Sequence, residues 1–134
     1  MQQESEDPKI PKEQVRRLAF VFCSGQQAKC AELEKFLRST ALKLSKKPLH
    51  LRCVILLEIP EGCPVQAVLE AVQSAHAAGV VAVLSGLPEA KVHEFEEAFS
   101  QADCYFKAVS IDQVQKKTFA MDMMLEIMLL RPGS

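Results

Sequence analysis

Leu49-His-Leu-Arg-Cys-Val-Ile-Leu-Leu57, Pro64-Val-Gln-Ala-Val-Leu-Glu-Ala-Val72 and Val80-Val-Ala-Val-Leu84 follow one another in the chain. The outer two are apolar runs of strand length. The middle one places Val65, Val68, Leu69 and Val72, with Ala75 just beyond it, at the three- and four-residue spacings of a helix. Pro64 stands at its first turn and Gly79 beyond its last, the asymmetry that helices favour. Strand, helix and strand in that order predict a parallel pair joined by a crossover.

The pattern extends in both directions. Upstream, Leu18-Ala-Phe-Val-Phe-Cys23 is a continuous apolar run, as is Val80–Leu84, and such runs suit strands covered on both faces. Between Gln26 and Lys46 the residues Cys30, Leu33, Phe36, Leu37, Ala41 and Leu44 mark one face of a helix. Downstream, Pro88 opens a helix with Val92, Phe95 and Phe99 inward. Cys104-Tyr-Phe-Lys-Ala-Val109 then alternates enough to suit an edge strand. Asp112 and Gln115 form a capping pair before a last helix that runs to about Leu130 and stops at Pro132-Gly133. Four strand–helix units predict an α/β fold: a three-layer, Rossmann-like domain with a mainly parallel sheet of four to five strands and helices on both faces. We assign residues 15–131 to this single domain, 1–14 to a flexible lead-in with Pro8 and Pro11, and 132–134 to a tail.

The 134 residues are 49% apolar and 25% charged, with net charge −1. That is globular composition without the basic excess of a dedicated nucleic-acid binder. No apolar run reaches membrane-spanning length, and the polar start MQQESEDPKIPKEQ lacks a signal-peptide core. Cys23, Cys30, Cys53, Cys63 and Cys104 are odd in number and contain no CxxC pair. Reduced thiols in an intracellular protein, cytoplasmic or nuclear, are the expectation.

Ligands of open parallel sheets bind beyond the carboxyl ends of the strands. The loops there are Ser24-Gly25-Gln26-Gln27, Ile59-Pro60-Glu61-Gly62-Cys63, Ser85-Gly86-Leu87 and Ser110-Ile111. Neither GxxxxGK[ST] nor GxGxxG occurs, so no nucleotide cofactor is expected. Cys/His/Asp clusters with metal-ligand spacing are absent as well. Glu58 and Glu61 lack a catalytic constellation. Glu94, Glu96 and Glu97 read as a solvated helix face, and His50, His76 and His93 do not pair with Cys23. The stretch from Phe20 to Lys29 resembles the phosphate loop of low-molecular-weight tyrosine phosphatases. In that resemblance Cys23 is the nucleophile, and Ser24, Gly25 and Lys29 belong to an anion cradle. Lys29 stands where that family has arginine, and Cys30 where it has a hydroxyl.

Two features point to binding instead. The last helix is apolar nearly all round, and Met121, Met124, Leu125 and Met128 are its candidate partner-binding residues. Arg38, Lys43, Lys46, Lys47 and Arg52 form a basic run without interleaved aromatics, which reads as a solvated helix end. From Leu51 to Leu84 the chain also resembles the anticodon-binding domain of class II aminoacyl-tRNA synthetases, a module found detached in a nuclear receptor coactivator. Where that family has Gly-Pro, this chain has Gly79-Val80. The resemblance implies RNA or protein binding without catalysis. The first expectation is thus a non-catalytic protein-interaction module of a larger assembly, contacting a protein partner through the last helix and needing neither cofactor, metal nor membrane. A Cys23-dependent phosphatase-like enzyme and an RNA-binding module are the alternatives.

Overall fold

The computed structural model describes residues 14–43, 49–60, 62–84, 86–109 and 117–130. Within them strands and helices alternate: β1 (Val15–Cys23), α1 (Gln27–Leu42), β2 (His50–Ile59), α2 (Val65–Ser74), β3 (Gly79–Val83), α3 (Glu89–Gln101), β4 (Tyr105–Val109) and α4 (Lys117–Met128). The sheet is parallel throughout, in the order β2-β1-β3-β4. The expected α/β fold is therefore present, and β4 lies at an edge as its alternation predicted.

Burial explains the order. Every residue of β3, and every residue of β1 except Arg17, is buried. Strands apolar on both faces must lie inside the sheet and be covered from both sides. Leu18, Phe20 and Phe22 face Cys30, Leu33 and Leu37 of α1 and Phe119, Met123, Met124 and Ile127 of α4. Ala19, Val21 and Cys23 face the other way, toward Val65, Val68, Leu69 and Val72 of α2 and Phe95 and Phe99 of α3. Phe106 of β4 stacks on both α3 rings, at centroid distances of 6.1 and 5.0 Å.

β2 changes faces part-way. Cys53 pairs with Leu18 but Ile55 pairs with Ala19, leaving Val54 as an extra residue. Such a bulge shifts side-chain parity by one. Leu49, Leu51 and Cys53 consequently join the α1/α4 side, whereas Ile55, Leu57 and Ile59 join the α2/α3 side. Leu56 is left exposed.

The helix after Pro64 ends differently from expectation. Gly79 does not terminate it but opens β3; the left-handed position beyond the helix belongs to His76, with φ 59°. Glycine at 79 has a packing reason instead. A Cβ there would lie 2.8 Å from Tyr105 Cδ2 and 3.1 Å from Leu130 Cδ1. Pro64 and Pro88, both with φ near −60°, occupy the capping position just before their helices. Leu44, Lys46, Lys47, Glu61, Ser85, Ser110, Ile111, the Asp112/Gln115 cap, Pro132-Gly133 and nearly all of the lead-in lie outside the described residues.

Two adjacent arginines at the start of β1 hold one helix on each face. Arg16, 7% exposed, donates from its guanidinium to the carbonyls of Val15 (3.1 Å) and Met128 (3.0 Å), at the end of α4. Arg17 donates to the carbonyls of Ala75 (2.9 Å) and His76 (3.1 Å), just past α2. Strand alternation points the two side chains to opposite faces, and each cation meets the negative end of a helix.

Two substitutions test this packing. Gly79→Ala should lose about 1–3 kcal/mol in urea unfolding, from overpacking against Tyr105. Arg16→Met should cost a similar amount, roughly 1.5–3 kcal/mol for charge-assisted hydrogen bonds, and should speed amide exchange in the last turn of α4. Wild-type midpoints in both variants would contradict these roles.

Candidate interaction surface

The carboxyl edge was the expected place for a ligand. The chain reverses direction there between β1 and β3, since α1 leaves on one face and α3 on the other. The first loop, however, closes on itself. Gln26 donates its amide to the Cys23 carbonyl at 3.0 Å, with Gly25 at φ 84° supplying the turn. The Ser24 hydroxyl donates to Glu58 Oε2 at 2.9 Å, which brings a carboxylate against the loop. Gly25 and Lys29 are exposed, and Cys23 is buried. Burial pushes the Cys23 thiol up from its ordinary value, opposite to the shift that activates a nucleophile. Cys30, in the core on the opposite face of the sheet, is pushed up to about 12 by burial and then by Cys53 and Glu34. At the expected thiol site, then, the Cys23 thiol is buried and raised, Ser24 carries an acid beside it, and Gly25 and Lys29 are exposed.

Of the four residues expected to bind a partner, three are exposed and one is buried. α4 is apolar on two sides, one buried and the other exposed. Phe119, Met123, Met124 and Ile127 face the sheet and α1. Met121 (48% exposed), Leu125 (58%) and Met128 (44%) face outward, and Leu129 (87%) extends the row just past the helix. Their spacing of four, three and one places them on one stripe. Met124 falls away from this surface. It is fully buried, because its position, one residue after Met123 and three before Ile127, lies on the inner face.

Beside the stripe stands an acidic row. Asp122 is exposed, and Glu126 accepts a short hydrogen bond from the Tyr105 hydroxyl and lies 3.9 Å from Lys107 Nζ. Burial, then the Glu126 contact, pushes the Tyr105 hydroxyl well above its ordinary value, so that hydroxyl stays protonated as the donor. Where α3 ends, a pocket of about 680 Å³ opens between Glu96, Ser100, Asp103, Tyr105, Phe106 and Leu129. It lies at the amino ends of the strands, the side opposite the expected loops. Sequence reading missed it because Leu129 and Leu130 come from a helix end far along the chain from Glu96 and Asp103.

The remaining ion pairs each lie within a single helix. Arg38 pairs with Glu34 at 3.3 Å, Lys91 with Glu94 at 3.8 Å and His93 with Glu96 at 3.3 Å. Among the described residues no group of three metal-ligating side chains converges, and no helix is long and apolar enough to cross a membrane.

No family model and no curated protein matches this sequence. Among solved structures the chain is similar to the MID domain of Arabidopsis thaliana AGO5. The TM-score is 0.63 and the sequence identity 11%, over 90% of this chain and 92% of that one. A likeness at that identity shows a shared α/β fold and nothing about ligands.

The thiols give a direct check of the carboxyl edge. With iodoacetamide at neutral pH, Cys23 should react more slowly than the half-buried Cys63, and its rate should rise only at pH above that of a free thiol. Fast alkylation of Cys23 with a lowered midpoint would restore the nucleophile.

Proposed function

We propose that this domain is a non-catalytic protein-binding module of a larger assembly, which it joins through the outer face of α4. One observation carries the reading: Met121, Leu125 and Met128 stand exposed in a single stripe on a helix whose other face is core, and Leu129 extends it just past the helix. Exposed apolar residues are ordinary when scattered, but a continuous stripe beside a polar rim is how partner surfaces look. Covering four such side chains is worth a few kcal/mol, at about 25 cal/mol per Å² of apolar area. Methionine adds adaptability at low cost in fit. The structurally similar AGO5 MID domain is likewise one domain of a longer protein, which supports reading this chain as part of something larger.

The inner and outer faces separate binding from folding. Leu125→Asp should leave the unfolding midpoint within about 0.5 kcal/mol of wild type, as surface changes do, and should abolish capture of the partner from nuclease-treated extract. Met124→Asp should unfold the domain, because it buries an unpaired charge. A Leu125→Asp protein that captures the same partner at wild-type yield would remove α4 from the interface. A captured species lost on nuclease treatment would favour the RNA-binding alternative.

A further inference from the structure

We propose that the α4 stripe and the adjoining pocket together receive an amphipathic helix of a partner protein with basic flanks, one of whose lysine or arginine side chains enters the pocket. This rests on the reading of α4 as the docking face and specifies the chemistry of what docks there.

Leu129 joins the two features. It ends the exposed stripe and also lines the pocket. The pocket offers apolar walls from Phe106 and Leu129 with carboxylates from Glu96 and Asp103, and none of its lining residues is basic. The carboxyl end of α3, at Gln101, adds the negative end of a helix dipole to the same place. A long apolar stem ending in a cation fits such a site: the stem lies on the ring and leucine, the charge meets the acids. Asp103 has no ion pair among the described residues, and Glu96 meets only His93, itself exposed. Asp122 and Glu126 continue the negative potential along one flank of the stripe, where Lys107 is already engaged by Glu126. A helix laid along Met121, Leu125 and Met128 therefore needs cations on that flank.

The same charge argument disfavours other occupants. The chain's own first 13 residues carry Glu4, Glu6, Asp7 and Glu13 against Lys9 and Lys12, so they would bring more negative charge to a negative rim. Pairing the stripe with that of a second copy would place identical acidic rows on both sides of the interface. An anionic membrane surface would be repelled.

The test uses the full chain and two synthetic helical peptides that share one apolar face, with lysine at every flanking position in one and glutamate in the other. Binding is followed by heteronuclear NMR. The lysine peptide should bind at least about tenfold more tightly, with shifts at Leu125, Leu129, Ser100 and Asp103. Glu96→Gln combined with Asp103→Asn should weaken it about tenfold. Asparagine keeps the left-handed backbone at 103, where φ is 58°. Glu32→Gln with Glu70→Gln, an equal charge change on exposed residues of α1 and α2, should leave binding unchanged. Equal affinity for both peptides, lost in Leu125→Asp, would overturn the basic-helix inference while keeping the docking face. The inference also falls if neither peptide binds, if the two double variants weaken binding alike, or if phosphatidylserine vesicles bind where the peptides do not.

Discussion

Everything in this fold is arranged around β1, a strand that can have no exposed side. Its apolar residues alternate between two cores, and both of its edges are paired, with β2 and β3. That constraint demands a helical layer above and below, and the chain meets it with α1 and α4 on one face and α2 and α3 on the other. The same strand fastens those layers. Arg16 and Arg17 are one residue apart, so their guanidinium groups reach the carboxyl ends of α4 and α2 on opposite faces. The position of α4, and hence of its outer stripe, depends on a buried cation in the central strand. Desolvation lowers the pKa of that guanidinium, though an arginine remains charged at any physiological pH.

The layered order was legible because periodicity reports burial directly. Continuous apolar runs at Leu18–Cys23 and Val80–Leu84 identify interior strands, and the alternation from Cys104 to Val109 identifies an edge. The bulge at Val54 was not legible. Leu49–Leu57 reads as one apolar run of strand length, whereas its apolar residues serve two cores in succession across a break in register. Gly79 misled for a related reason: glycine marks either a helix end or a close approach, and only Tyr105 at 2.8 Å distinguishes them. His76 took the left-handed position instead, where sequence preference would place glycine or asparagine.

The candidate site was half legible. A helix apolar all round leaves apolar residues outside the core, and Met121, Leu125 and Met128 do face outward. Which methionine belongs to which face depends on helix rotation, and sequence spacing alone left Met124 on the wrong side. The acidic pocket depends on α3, β4 and the end of α4 converging in space, so no local pattern could show it. The arginine pair carried a faint signal, two cations opening an otherwise buried strand, whose meaning emerges only once the helix ends are placed. Cys23 illustrates the converse. Its flanking loop has the residues of an anion cradle, but the Ser24–Glu58 contact and the burial of the thiol set its chemistry.

The central claim is that α4 divides its apolar residues between a closed inner face and an open outer one. Its methionines, Met121, Met123, Met124 and Met128, can report on this within one helix. Limited hydrogen peroxide oxidation of the folded domain, read by peptide mass spectrometry, measures each one's access to solvent. The account predicts rapid sulfoxide formation at Met121 and Met128, with Met123 and Met124 unmodified until the domain unfolds. Uniform oxidation of all four, or protection of Met121 and Met128 in the free domain, would contradict it.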